Sequence, residues 1–200
     1  ASQCKYRVVK DSTGTGTSRS AGTGTSSSRR AAVVDAVSPI FSSGRAALNP
    51  ALAALAAETC ETAGFFVREG EGRLLLARVE GGQAVRDWIT VGSLLPLQGA
   101  AGRTLTRFAG GWRPGEALPD TSFGERTPEM AAISVPVFRA GNALAGALTV
   151  SGTCTRFRDP ARHAALSAAL LRAGAALTRA LDGDVPAFQV PTEAPVKTIR

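Results

Sequence analysis

Catalysis in this chain would have to be assembled from few parts. There is one histidine, His163, in the first turns of an apolar helical stretch, and its position predicts the helix's outer face, away from the serine and acid that a hydrolytic triad needs. The cysteines, Cys4, Cys60 and Cys154, form no Cys-x-x-Cys and make no Cys/His cluster with zinc spacing. Cys60 ends an apolar helix and Cys154 follows an apolar strand, positions of buried, inert thiols rather than exposed reactive ones. Gly14-Thr15-Gly16 lacks the Gly-Lys-Ser/Thr that completes a phosphate loop, so neither a cofactor nor a metal is expected. The densest charge group is Glu125, Arg126 and Glu129. A guanidinium there has the fork geometry to clamp a carboxylate, or simply to form a surface ion pair. The chemistry that remains is recognition.

The elements that would position such a site follow from the pattern of apolar residues. "NPALAALAAETC" (49–60) reads as a helix with Asn49 as N-cap, Pro50 at its first position, and Leu52, Leu55 and Ala56 on one face. "GFFVREGEGRLLLARVEG" (64–81) reads as a hairpin turning at Glu-Gly-Glu-Gly, and "AVRDWITV" (84–91) as a further strand. A helix is predicted to open at Gly99–Ala100 and to stop at Gly110–Gly111, followed by a loop over 112–121. Two strands joined by a Gly-Asn turn come next. A long helix then starts with Asp159 as cap and Pro160 at its first position, burying Leu166, Leu170, Leu177 and Leu181 and ending at Gly183. The expected architecture is α+β: an antiparallel sheet of about five to six strands with helices on one face.

The flanks differ from this body. Residues 1–30 hold six basic residues and one acid, most of the formal charge of +7, and 12–30 are a Gly/Ser/Thr tract with little to bury. We read 1–30 as a disordered basic segment within which "KYRVVK" could form a short strand, 31–48 as a linker helix region, 49–183 as the folded domain, and 184–200 as a Pro-rich tail. A nearly neutral body argues against a large nucleic-acid face on it. The apolar stretch 164–181 contains Arg172 and Arg179 and reads as a core helix, not a membrane span. Free cysteines and the lack of an apolar leader predict a cytoplasmic protein.

One sheet face is predicted to be unusually bare. Along the first strand Ile133, Val135 and Val137 point one way, and Ala132, Ser134 and Pro136 the other. Along the second, Leu144, Gly146, Leu148 and Val150 oppose Ala145, Ala147, Thr149 and Ser151. The small sets should pair into a shallow floor of methyl groups carrying the hydroxyls of Ser134, Thr149 and Ser151. The free N–H groups of a helix opening at Gly99, Ala100 and Ala101 would suit a carboxylate in the same space. The alternative is that the small residues simply admit a closely packed helix or a second subunit.

The residues from about 49 to 183 resemble the C-terminal effector-binding domain of IclR-type transcription regulators, a GAF-like fold. The resemblance lies in an ordered set: "LAALAAETCETAGFFV", "LLARVEG", "VGSLLPLQGAAGRTLTRFAG", "SFGERTPEMAAISVPVF" and "LAGALTVSGTCTRF". It implies a sensor, not an enzyme, for a small organic-acid effector, acting as a homodimer or homotetramer. It puts effector-binding positions at Gly99, Ala100, Ala101, Ser122, Ala132, Thr149 and Ser151, to which Arg126 and Ser134 are added from the reasoning above. Ser122 stands where some members carry an acid, and Ala132 where some carry a cysteine. The family reads DNA through a winged helix-turn-helix, for which the 48 residues before Asn49 leave no room, so DNA contact is expected only through a reader outside this chain. Two rivals remain: a cysteine-dependent reductase of GAF fold, and a dimerisation module without a ligand.

Overall fold

The computed structural model describes residues 7–8, 45–184 and 188. The expected tract at 12–30, most of the linker region and nearly all of the tail lie outside the described residues. Among the described residues, seven strands form one antiparallel sheet: β1 (Arg7–Val8), β2 (Thr62–Glu69), β3 (Gly72–Glu80), β4 (Leu94–Pro96), β5 (Asp120–Phe123), β6 (Met130–Arg139) and β7 (Ala143–Thr153). The order across it is β1-β3-β2-β7-β6-β5, with β4 also on β3. β1 takes the Val79–Glu80 end of β3's outer edge and β4 takes the Gly72–Leu74 end. Helices α1 (Arg45–Thr59), α2 (Gly99–Arg107), α3 (Cys154–Phe157) and α4 (Pro160–Ala180) complete the fold.

The sheet's large face is the core. Ala63, Phe65 and Val67 of β2, Ile133, Val135 and Val137 of β6, and Leu148 and Val150 of β7 meet Leu48, Leu52 and Leu55 of α1 and Leu166, Leu170 and Leu177 of α4. Each of these Val, Leu, Ile and Phe side chains, taken fully out of water, contributes about 1.5–3 kcal/mol. α1 begins a turn earlier than expected, so Asn49 and Pro50 fall inside it. The buried Leu48 extends the Leu52/Leu55 stripe backwards, and that contact outweighs the hydrogen bond Pro50 cannot donate.

α4 begins as predicted. Asp159 is extended and its Oδ1 accepts from the Arg162 N–H at 2.7 Å, with Pro160 next in line. Replacing Asp159 with Ala is expected to cost about 1 kcal/mol, the usual worth of an N-cap, read as a lowered midpoint in thermal unfolding. An unchanged midpoint would mean that packing of α4 alone sets its first turn.

The expected α+β architecture, an antiparallel sheet with helices packed on it, is what the structure has; three details of it differ. Helices cover both faces: α2 lies across β5, β6 and β7 on the side away from α1 and α4, where Ala101 and Leu105 join Phe66, Leu75 and Ala147 in a second cluster. Residues 84–91 form no strand. Their carbonyls at Asp87 and Ile89 accept from the Arg78 guanidinium instead of from a ladder, and β4 forms later, at Leu94–Pro96. Finally, Ala145 is an extra residue in β7, since Val137 pairs Gly146 and Phe138 pairs Leu144. This bulge turns Ala145 into the main core and Leu144 onto the small face, the reverse of strict alternation. No described helix is long and apolar enough to cross a membrane.

Candidate functional site

The small face of the sheet is the floor of a cavity with about 60 Å³ open to the centres of water molecules, enough for several waters or a small organic molecule. One cross-sheet row defines the floor. Thr62 pairs Ser151, Ser151 pairs Ala132, and Ala132 pairs Ser122, and all four line the cavity. The three hydroxyls in this row have no hydrogen-bond partner among the described residues; the Thr62 Oγ1 is wholly buried in that state. The next row differs. Thr149 lines the cavity, but its hydroxyl meets the Ser134 Oγ at 3.0 Å, and Ser134 lies sealed beneath, also reaching the Leu148 carbonyl at 3.3 Å.

Phe66, Leu75, Ile89 and Met130 supply apolar wall. α2 contributes Gly99 and Ala100. Gly99 has φ +70°, a conformation that favours glycine, and an added Cβ would lie 3.5 Å from the Ser122 Oγ. The α2 N-terminus carries no side-chain cap, so its first N–H groups are open to an acceptor.

Three guanidinium groups reach the same space. Arg73 and Arg78 come from β3, and Arg126 from the β5–β6 connection. A second bulge, at Leu76, makes this possible: Phe65 pairs Ala77 while Phe66 pairs Leu75. Beyond the bulge the parity of β3 shifts, and Arg78 shares the cavity face with Arg73 and Leu75. Arg126 pairs with Asp87, and Arg78 lies 3.5 Å from Glu80. Glu125, also on the wall, is taken by Arg103 at 2.7 Å.

Arg73 is different. It is 6% exposed, its Nε donates to the Pro96 carbonyl at 3.1 Å, and its guanidinium lies 4.8 Å from the centre of the Phe66 ring. No carboxylate among the described residues is within ion-pair distance of it. Burial pushes its pKa down to about 10; the Arg126 charge adds to the fall and Asp87 opposes it. Burial also lowers Arg78, against the pull of Glu80 and Asp87.

Of the nine positions expected from sequence, seven line the cavity: Gly99, Ala100, Ser122, Arg126, Ala132, Thr149 and Ser151. Ala101 instead packs in the second cluster, and Ser134 is sealed under Thr149. Sequence reasoning missed Thr62, Phe66, Arg73, Arg78 and Asp87. Arg73 was legible in principle, as a charge in the Leu-Leu-Leu hairpin strand facing the same way as Leu75. Arg78 was not, because its facing depends on the bulge.

Cys60, Cys154 and His163 do not line the cavity. Cys154 is buried with its Sγ 3.4 Å from the Pro128 carbonyl, and the Cys60 Sγ is 3.9 Å from the Ala57 carbonyl. His163 stacks on Phe123 at 6.3 Å and meets the Thr121 hydroxyl at 3.3 Å.

A single curled antiparallel sheet with helices, enclosing a cavity on one face, defines a GAF-like α+β domain. Among solved structures, this fold matches the C-terminal part of IclR-type regulators. A transcriptional regulator of the IclR family from Rhodococcus sp. aligns with a TM-score of 0.60 at 23% identity, over 68% of this chain and 64% of that one. An IclR transcriptional regulator from Silicibacter sp. gives 0.63 at 22% identity, over 80% and 73%. The C-terminal domain of a transcriptional regulator from Vibrio cholerae gives 0.55 at 24% identity, over 68% and 94%. The chain thus spans less than two thirds of the Rhodococcus regulator. The likeness is one of fold. No protein-family sequence model matches the chain, and no curated protein sequence matches it significantly.

Proposed function

We propose that residues 45–184 form the effector-sensing domain of an IclR-type transcription regulator, and that the effector is a small organic anion held in the cavity above the sheet. The observation that carries this reading is Arg73, a buried guanidinium with no carboxylate partner among the described residues, in the wall of an otherwise largely apolar cavity. A buried charge is costly until it is paired. An incoming carboxylate supplies the pair, and a guanidinium binds it in a planar, bidentate fashion. The open N–H groups at Gly99–Ala100 and the hydroxyls of Thr62, Ser122 and Ser151 provide further donors. Arg126 is a neighbour of the anion rather than its clamp, since Asp87 already holds it.

The same reading makes the protein a cytoplasmic, oligomeric sensor without catalytic activity, coupled to DNA through a reader domain. The fold likeness to regulators supports it, and neither Cys60 nor Cys154 is among the residues that line the cavity.

Thermal unfolding with and without small monocarboxylates tests it. A ligand present at about 100 times its dissociation constant adds about 2.7 kcal/mol of stability. Thr62→Val sharpens the test. In the empty protein it removes a buried hydroxyl without a partner and is expected to raise stability by about 1 kcal/mol. With ligand present, it removes a donor and shrinks the ligand-induced shift. Absence of any shift across acetate to octanoate and benzoate would overturn the reading, and a T62V protein that keeps the full shift would take the floor out of the site.

A further inference from the structure

Residues 81–93, the connection between β3 and β4, contribute Asp87 and Ile89 to the wall of this cavity and so bring a carboxylate of their own. Arg78 fixes their course by donating to the carbonyls of Asp87 and Ile89, alternate residues, and the Asp87 and Ile89 side chains both line the cavity. Ile89 joins the apolar wall. Asp87 turns its carboxylate onto Arg126, with its side chain 13% exposed.

The charges on the wall each have neighbours. Arg78 lies 3.5 Å from Glu80, a carboxylate it shares with Arg86 at 3.1 Å, and Glu125 is answered by Arg103, these partners all coming from outside the cavity. Arg126 is answered by Asp87 from within it. Among the described residues, Arg73 is the wall cation with no carboxylate within ion-pair distance, and Thr62, whose buried hydroxyl has no partner among them either, faces the same space.

We propose that Asp87 sets the charge class of the ligand: the cavity admits monoanions and rejects dianions, because Asp87 already occupies the seat that a second carboxylate would take on Arg126. This rests on the anion-binding reading above and adds a residue that determines specificity. A monocarboxylate needs one cation and finds Arg73. A dicarboxylate needs two, and its second carboxylate meets Asp87 as a like charge within the cavity, an unfavourable juxtaposition. To bind, it must displace Asp87 and the connection that carries it. The selection is by repulsion as much as by fit.

The test compares straight-chain monocarboxylates, from acetate to octanoate, with the dicarboxylates of the same carbon number, by calorimetric titration of the whole chain. The native protein is expected to prefer the monocarboxylate of the best-binding pair by about tenfold or more. Asp87→Asn keeps the side chain's shape and removes its charge, and is expected to abolish that preference; Asp87→Ser serves the same purpose should the amide disturb folding. Arg126→Gln is expected to weaken monocarboxylate binding by about tenfold, because the freed Asp87 carboxylate then competes for Arg73, and the double variant D87N/R126Q to restore it. Monocarboxylate binding with an unchanged preference in D87N, or no restoration in the double variant, overturns the role of Asp87 and leaves the anion site standing. Failure of every probe to bind either protein overturns the anion site and, with it, this proposal.

Discussion

Arg73→Met should cost the protein its anion and leave the empty domain standing. Losing one member of a buried, hydrogen-bonded charge pair costs at least about 2–3 kcal/mol of affinity, or roughly a hundredfold in the dissociation constant. The empty protein has less to lose. Its Arg73 makes one hydrogen bond, to the Pro96 carbonyl, and one contact with the Phe66 ring. The Pro96 carbonyl keeps a second donor in the variant, the Gln98 N–H at 2.8 Å. Against these small losses stands the removal of a charge that burial already disfavours, lowering its pKa. The Met side chain follows the course of the arginine stem and keeps a contact with Phe66. R73M is therefore expected to unfold at a temperature equal to or above that of the native protein, while calorimetry with the best-binding monocarboxylate shows weak binding or none. Arg73→Lys keeps the charge without the fork and should fall between. Unaltered affinity in R73M would move the anchor to another donor, and a marked loss of stability would make Arg73 a structural residue.

That Arg73 escaped the sequence reading shows what alternation resolves. The β6–β7 hairpin was legible because its two faces differ in size or polarity over most of its length, from Ile133 against Ala132 to Val150 against Thr149. The paired register then follows from keeping large with large. Asp159-Pro160 marks the start of α4 for a local reason, a side-chain cap followed by a residue that needs no donor. Bulges leave no comparable mark. Nothing in "LLLARVE" says that Leu76 is an extra residue, yet that residue decides whether Arg78 faces the main core or the cavity. The same is true of Ala145. The segment at 84–91 alternates as a strand does, but Arg78 takes its carbonyls, a contact across the fold that local pattern cannot foresee. Likewise, α2 was expected from its glycines, but which sheet face it covers follows from Ala101, Leu105 and their partners Phe66 and Leu75, which lie far apart in sequence.

The largest stability effect is expected at a different ion cluster, and it should be lopsided. Glu61 is 1% exposed at the start of β2, and both its oxygens accept from Arg156 at 2.8 Å, with an Arg162 amine at 3.4 Å. The arginines reach water: the side chains of Arg156 and Arg162 are 25% and 35% exposed. Removing Arg156 strands a buried carboxylate with one distant partner, a loss of about 3–5 kcal/mol. Removing the charge at Glu61 instead leaves guanidinium groups that solvent can reclaim, at about 1–2 kcal/mol. Arg156→Met should therefore lower the unfolding midpoint by roughly 10 °C, and Glu61→Gln by only a few degrees. The close approach depends on Gly152, where a Cβ would sit 2.6 Å from the Phe157 ring and 3.0 Å from the Arg156 amine. The cluster also reaches the cavity, since Arg156 donates to the Val85 carbonyl at 3.2 Å in the connection that carries Asp87. R156M should for that reason loosen the hold on Asp87 and narrow the preference for monocarboxylates, whereas E61Q, which keeps the Arg156 donor, should preserve it. Equal midpoints for the two variants would mean that the carboxylate is better solvated than its burial implies. A preference unaffected by R156M would confine the hold on Asp87 to Arg78 and Arg126.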